Sequence, residues 1–373
     1  MKNLFFSNLN GFRALAAFAV IFAHCSYWIP SPKTDGYSIL HFFMTFNGGE
    51  GGRLGVIFFF VLSGFLISYL LFTELKEYGK INLIYFYLRR FFRIWPLYLL
   101  VVFIGFFIYP LFVIDVSFNE SASLWMYLCF LANFDHIYNY FPASSILGVQ
   151  WSVSVEEQFY LFWPLLIRLI AKTKYLMIFL ICIILFSEIF YLTLGIKLRA
   201  GEYHLISCMK YLSAGGLLAY LCFHQAFFYQ KMTTYLFKKS ITIFIYTISF
   251  IFIFSENLIL EVIPNYKYFI DIIPLLFFMY IIFEQNFSDN SFYKISKIPF
   301  LDWLGRISYG LYLLHMIVIN SILIFLPQNE NYFLMYVFVT IFFTILISHL
   351  SFKYFEEYFL KFNRKYKLIS SEK

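Results

Sequence analysis

Long apolar segments recur along nearly the whole chain and leave few folds open to it. A helix that crosses a bilayer needs roughly 17–25 predominantly apolar residues. Candidate segments, several of them short, lie at residues 9–28, 55–75, 93–113, 151–171, 175–195, 207–223, 241–255, 268–284, 307–326 and 333–352. Hydrophobic residues make up 61% of the chain and charged residues 13%, against about 45–50% and about 25% in soluble proteins. We therefore predict an all-α polytopic integral membrane protein with about ten transmembrane helices.

No internal repeat, low-complexity tract or Pro/Gly-rich linker divides the chain. We predict one membrane domain over residues 1–360, followed by a basic cytoplasmic tail at 361–373. Residues 122–134 are too short to cross the bilayer and predict a membrane-dipping or interfacial helix. The first apolar run lacks a small-residue cleavage site, which favours a retained span over a signal peptide. The five cysteines show no CxxC spacing, so we expect no disulfide frame and no metal site.

The positions of Lys and Arg predict the orientation, because cytoplasmic loops carry an excess of both. With the N-terminus inside, 22 of the 28 Lys and Arg residues fall on the cytoplasmic side. The six on the other side are Lys33, Arg53, Lys197, Arg199, Lys210 and Lys267. Both termini are therefore expected in the cytoplasm. The net charge of +7 then reflects membrane topology and gives no reason to expect nucleic-acid binding.

Within the first candidate span (9–28), the stretch "RALAAFAVIFAH" runs from Arg13 to His24. Eleven residues are about three helical turns, so both side chains lie on one face, about 16 Å apart along the axis. Charged groups at membrane depth cost roughly 2.5–3.5 kcal/mol and are candidates for function. The alternatives are a boundary cation for Arg13 and a structural hydrogen-bonded histidine for His24.

Two further segments carry charge into the membrane. In "LRRFFRIWPLY" (88–98), Arg90 and Arg93 are i,i+3 neighbours whose guanidinium groups suit phosphate oxygens. In "WSVSVEEQFYLFWP" (151–164), Glu156 and Glu157 head an aromatic helix. Positive-inside anchoring is the alternative for the arginines, and helix capping explains one of the two glutamates.

A fourth segment, "LGRISYGLYLLH", ends the series late in the chain. Ser308, Tyr312 and His315 share one helix face by their spacing, with Tyr309 beside them. A tyrosine belt at the membrane interface is the alternative, and it fits Tyr309 better than His315.

These segments, together with "GVIFFFVLSGFLIS" (55–68), resemble the acyltransferase-3 family of integral membrane acyltransferases. They occur in that family's order and span residues 10 to about 315. The resemblance implies that residues 1–360 are a membrane acyltransferase domain in the inner (plasma) membrane. It also implies a stand-alone O-acyltransferase without the second, esterase-like domain that some members carry.

The same resemblance implies the reaction. An acyl group, usually acetyl, moves from cytoplasmic acyl-CoA (acetyl-CoA) to a hydroxyl of a cell-surface polysaccharide or lipid-linked glycan. Acceptors of this kind include lipopolysaccharide O-antigen and exopolysaccharide. The expected partners are therefore acyl-CoA, the glycan acceptor and membrane lipids. No metal and no nucleic acid are expected.

The candidate residues have roles in that reaction. Histidine is suited to take a proton from a sugar hydroxyl near neutral pH, so His24 is the expected base. Glu156, with Glu157 second, is expected to orient and stabilise its imidazolium form. A covalent acyl intermediate on His24 stays open. The remaining residues divide into donor binding (Arg13, Arg90, Arg93) and substrate binding (Ser308, Tyr309, Tyr312, His315).

Two other functions remain open at this point. One is a transporter that exports a glycan or a small acid through the same polar cavity. No pair of Gly/Pro-broken spans in matching halves supports it. The other is a non-catalytic partner in polysaccharide secretion, which leaves His24 and Glu156 unexplained.

Overall fold

The computed structural model describes residues 6–29, 50–113, 119–139, 141–171, 173–195, 201–224, 233–288, 291–327 and 332–366. Within these ranges the protein is all-helical and contains no strand. The first eight helices are α1 (Ser7–Trp28), α2 (Glu50–Tyr78), α3 (Leu83–Phe103), α4 (Leu124–Leu128), α5 (Ala132–Asn139), α6 (Ser145–Gly148), α7 (Gln150–Ile170) and α8 (Leu176–Phe190). The other eight are α9 (Leu205–His224), α10 (Lys239–Phe254), α11 (Glu256–Val262), α12 (Ile272–Phe287), α13 (Pro299–Arg306), α14 (Ser308–Phe325), α15 (Phe333–Ser351) and α16 (Glu357–Asn363).

Each of the ten apolar segments falls on a helix, and the prediction of an all-α membrane protein is confirmed. In the described ranges, seven helices are long and apolar enough to cross a bilayer: 7–27, 51–78, 83–111, 176–195, 205–223, 308–325 and 333–363. Helices α10 and α12 are apolar but shorter. Helix α7 is 21 residues long but contains Glu156, Glu157 and Arg168. The count of ten spans therefore stays a prediction, as does the position of the termini.

Helices α2 and α9 pack with their backbones in contact. A Cβ atom on Gly64 would overlap the carbonyl oxygen of Leu212, and one on Gly215 would overlap that of Val61. Small residues allow such close approach between membrane helices, where dispersion contacts replace the hydrophobic drive that operates in water. This contact and the packing of α1 on α2 build the centre of the bundle.

Short helices α4, α5 and α6 replace the single short helix expected at 122–134. The Glu120 carboxylate organises the connection to α7 by accepting hydrogen bonds from the backbone N–H groups of Ala143 and Ser144, at 2.8 and 2.9 Å. His136 is buried, and its Nε2 lies 3.1 Å from the Tyr127 hydroxyl. Burial lowers the pKa of His136 below its ordinary value, which keeps the ring neutral.

An ionic cluster joins α2, α8, α9 and the start of α12. Asp271 pairs with Arg53 and, at 3.5 Å, with Lys210. The Lys210 ammonium also lies 2.8 Å from Glu188. Because each buried charge faces an opposite charge, the cluster ties four helices together away from the cavity described below.

Candidate active site

A cavity of about 410 Å³ lies among α1, α2, α3, α7, α14 and the residues that follow α15. One end of the bundle holds the start of α1, the end of α2 and the start of both α3 and α14, and is called here the basic end. At the far end, Tyr312 and Ser152 line the cavity and hydrogen-bond through their hydroxyls at 2.6 Å. The Arg, Lys and Glu side chains that line it are Arg13, Arg90, Arg93, Arg306, Lys361, Glu156, Glu356 and Glu357.

The three donor-binding candidates, Arg13, Arg90 and Arg93, all line this cavity. The Arg90 guanidinium lies over the rings of Phe86 and Tyr160, with its carbon 5.8 and 5.6 Å from the ring centroids. Its buried Nε atom has no hydrogen-bond partner. The cavity thus contains three guanidinium groups, whose planar donors match phosphate oxygens.

Glu156 lines the same cavity and is held by two hydroxyl groups. Its carboxylate accepts hydrogen bonds from Ser63 at 2.7 Å and from Tyr160 at 3.0 Å. The carboxylate also interacts electrostatically with Arg13 and Arg90. Glu156 is therefore a counter-ion for the arginine group.

Glu157 points away from the cavity, towards α3. Its Oε2 accepts a hydrogen bond from the indole N–H of Trp95 at 2.9 Å, while its buried Oε1 has no hydrogen-bond partner. The two glutamates are adjacent in sequence but occupy different environments, because neighbours on a helix point about 100° apart.

His24 and His315 form a close pair. The Nδ1 of His24 lies 2.9 Å from the Nε2 of His315, and the ring centroids are 5.0 Å apart. One ring must donate and the other accept, so the two tautomers are linked. His315 is fully buried, whereas His24 is half-buried.

The histidine pair lies just beyond the far end of the cavity. Neither histidine is among the residues that line it. Tyr312 does line the cavity, and its ring centroid lies 6.1 Å from that of His315. His315 follows Tyr312 by about one helical turn. The arginines and Tyr312 therefore line one cavity, and the two imidazoles lie next to its Tyr312 end.

The sequence predicts that Glu156 orients His24, but the structure does not bring these two side chains into hydrogen-bonding contact. The hydrogen bonds of Glu156 go to Ser63 and Tyr160, and the ring neighbour of His24 is His315. The resemblance and the shared helix face predict that His315 binds the substrate. In the structure, His315 is the side chain that hydrogen-bonds to the ring of His24, and it belongs to a helix much later in the chain.

The late segment provides three different environments for its other candidates. Tyr312 contacts Ser152, as above, and Tyr309 donates from its hydroxyl to the backbone oxygen of Ile94 at 2.8 Å. Ser308 lines the cavity with a buried hydroxyl that has no hydrogen-bond partner. Tyr309 thus joins α14 to α3. The Ser308 hydroxyl is left available to hydrogen-bond with a ligand in the cavity.

The sequence does not indicate that several other residues line the cavity: Ser63, Ser152, Arg306, Glu356 and Lys361. Ser63 lies in an apolar run where a single hydroxyl carries no distinctive signal. Lys361 and Glu356 belong to the charged stretch after the last span, which reads as an anchor or tail. In the described ranges, no three His, Cys, Asp or Glu side chains are grouped so as to hold a metal ion.

The fold and the cavity define a multi-pass membrane protein with a polar cavity enclosed among its helices. A family model described as an acyltransferase domain matches residues 6–351, and the chain belongs to this acyltransferase-3 family. The resemblance drawn from the sequence motifs is therefore confirmed. No solved structure matches the chain.

Curated relatives carry O-acetyltransferase names. Peptidoglycan O-acetyltransferase OatA of Listeria monocytogenes is 31% identical over 175 residues, which are 44% of this chain and 24% of that protein. O-acetyltransferase OatA of Staphylococcus aureus is 32% identical over 169 residues, or 43% and 24%. A third relative from Staphylococcus aureus strain COL, also bearing the name of an O-acetyltransferase, is 26% identical over 385 residues, or 96% and 58%. The chain thus matches between about a quarter and three fifths of each relative's length.

Proposed function

We propose that this protein is an O-acetyltransferase that moves an acyl group, acetyl in the first instance, from cytoplasmic acyl-CoA to a hydroxyl of a cell-envelope glycan. The observation that carries the proposal is the cavity, with three arginines along it and the His24–His315 pair just past its far end. O-antigen and exopolysaccharide are candidate acceptors. Peptidoglycan joins them, because it is named as the substrate of one relative.

The donor is proposed to enter from the basic end, which we place in the cytoplasm because most Lys and Arg residues fall there. Arg13, Arg90 and Arg93 bind the phosphate groups of the CoA nucleotide, and the acyl-pantetheine arm follows the cavity towards Tyr312. Glu156 balances the charge of the arginines when the donor is absent. The chemistry then takes place near Tyr312, in the plasma membrane.

The proposed reaction needs a base on the acceptor side. The acceptor oxygen attacks the thioester carbonyl carbon, a C–O bond forms, and the C–S bond breaks. His24 takes the hydroxyl proton and returns it to the CoA sulfur, which leaves as the free thiol. His315 holds His24 in one tautomer and orientation through the single hydrogen bond between the rings.

The proposal is tested with purified full-length protein in nanodiscs, supplied with acetyl-CoA and isolated envelope polysaccharides or peptidoglycan fragments. Release of free CoA that depends on the glycan, with acetyl groups recovered on the glycan, is the expected result. His24→Ala should abolish both, since a positioned base contributes roughly 10²–10⁴-fold. His315→Gln keeps a hydrogen-bonding partner for His24 and should retain more turnover than His315→Phe.

His349→Ala is the matched control, because His349 is a half-buried histidine on α15 that does not line the cavity. It should leave turnover near the wild-type value. Full turnover by the His24 variant would remove that residue from the chemistry. Glycan movement through proteoliposomes without any CoA release would favour the transporter instead.

A further inference from the structure

The chain after the last long helix packs against α3. It continues α15 as a π-helical turn (Phe352–Glu356), then forms α16 (Glu357–Asn363) and a 3-10 turn (Arg364–Tyr366). Phe92 of α3 stacks on Phe362 and on Tyr366, with centroid distances of 5.7 and 6.1 Å. The boundary expected between residues 360 and 361 therefore falls inside a packed helix.

Arg89 fixes this C-terminal segment, residues 352–366, beside the cavity. Its guanidinium donates to the backbone oxygen of Tyr366 at 2.9 Å and pairs with Glu74 at 3.2 Å. The Asn363 amide in turn donates to the backbone oxygen of Arg89 at 3.3 Å. Arg89 thus has a structural role, while its neighbours Arg90 and Arg93 face the cavity.

The C-terminal segment contributes part of the cavity wall at the basic end, with Glu356 and Lys361 among the lining residues. Arg306, at the end of α13, also lines the cavity, and its guanidinium pairs with Asp302 at 2.6 Å. Asp302 also accepts a hydrogen bond from the Asn10 amide at 2.9 Å, which holds this pair against α1.

Arg306 and Lys361 differ from the deeper arginines in their exposure. The side chain of Arg306 is 54% exposed, and Lys361 is exposed as well, so both stand at the mouth of the cavity. Besides Asp302, two carboxylates line the cavity here. Glu356 interacts electrostatically with Arg93 and accepts a hydrogen bond from Ser351 at 3.3 Å. Glu357 is exposed, so water screens its charge.

We propose that Arg306 and Lys361 form a second phosphate subsite at the cavity mouth, which binds the 3′-phosphate of the CoA nucleotide. This inference rests on the proposed donor. The acyl group must reach Tyr312 at the far end, so the nucleotide at the other end of the same molecule remains at the mouth. Arg13, Arg90 and Arg93 then hold the diphosphate further in. The C-terminal segment thereby selects CoA over donors that lack the 3′-phosphate.

The test compares binding of CoA and of 3′-dephospho-CoA to the full-length protein in nanodiscs by isothermal titration calorimetry. Wild type should bind CoA about tenfold more tightly or better, because each charge-assisted contact to a phosphate is strong. In the Arg306→Ala/Lys361→Ala double variant this ratio should fall to within about twofold of unity, with 3′-dephospho-CoA binding unchanged. Lys353→Ala is the matched control, since Lys353 is exposed on the same segment and does not line the cavity.

The outcomes separate the two proposals. Wild type that binds neither nucleotide would overturn the proposed donor. Wild type that binds both equally, or a double variant that keeps the full preference, would overturn only the 3′-phosphate subsite. Equal weakening of both nucleotides in the double variant would also overturn it, because that result indicates general attraction of anions, lipid phosphates included.

Discussion

Two adjacent glutamates illustrate how much a side chain's surroundings decide its role. Glu156 lies in the cavity between two hydroxyls and near two arginines, whereas Glu157 accepts from an indole N–H on the neighbouring helix. Both are acidic residues in an apolar helix, where an unneeded charge is costly. Only the first is in a position to act on a bound donor.

We predict different losses for the two amides. Glu156→Gln keeps the shape of the side chain but removes the charge that balances Arg13 and Arg90, so turnover should fall about 10²-fold. Glu157→Gln should lose much less, since Trp95 can donate to an amide oxygen as well. Turnover is measured per folded, monodisperse protein. Near-normal turnover in Glu156→Gln would mean that the reaction does not need the charge of this side chain.

The kinetic constants of Glu156→Gln separate two roles. A changed KM for acetyl-CoA would place its effect on the arginines, with which Glu156 interacts. A fall in kcat at unchanged KM would place it on His24, as the sequence predicts.

At the level of helices, the contact between α2 and α9 depends on two positions without a side chain. The wall of the cavity formed by Val56, Phe59, Phe60 and Ser63 belongs to α2. The position of this wall therefore depends in part on the distance between α2 and α9. A larger distance between the two helices should displace the α2 backbone and with it the residues that line the cavity.

We predict that Gly215→Ala destabilises the protein by more than about 3 kcal/mol, because its methyl group would overlap the backbone of Val61. Thermal unfolding in detergent, followed by reaction of buried cysteines with a fluorogenic maleimide, measures the effect. Gly148→Ala is the control, since a Cβ there meets nothing within 4 Å. Equal transition temperatures for both variants would mean that α2 and α9 are not in backbone contact.

For the complete bundle, the proposed reaction requires one orientation in the membrane. A donor from the cytoplasm can enter only if the basic end, with Arg93 and Lys361, faces that compartment. The distribution of Lys and Arg points the same way. The membrane topology therefore tests the proposed entry of the donor from the cytoplasm.

We predict that a cysteine at Lys365 is protected from a membrane-impermeant maleimide added to intact cells, while one at Asn265 is labelled. Asn265 lies in the loop between α11 and α12, towards the opposite end. The five native cysteines are replaced first, and the activity of that background is checked. Labelling with the reverse pattern would invert the topology and contradict entry of the donor from the cytoplasm.

Most of the architecture could be read from the sequence, because a membrane span is a local property. Ten apolar segments were placed from length and hydropathy, and each falls on a helix. The pairing of Arg13 with His24 on one face, and of Arg90 with Arg93, follows from the geometry of a single helix. The family could be identified for the same reason, since its motifs are short and lie within individual spans.

What the sequence could not provide are the contacts between helices. The partner of His24 is His315, 291 residues away, and no periodicity within either helix relates the two. Arg89 and Arg90 are neighbours in sequence, yet one anchors the C-terminal segment and the other lines the cavity. From the sequence, Lys361 is predicted to belong to a cytoplasmic tail. The packing of Phe92 on Phe362 and Tyr366 instead holds the segment that contains it against α3. Such contacts depend on how whole helix faces fit against one another, which is a property of the packed bundle.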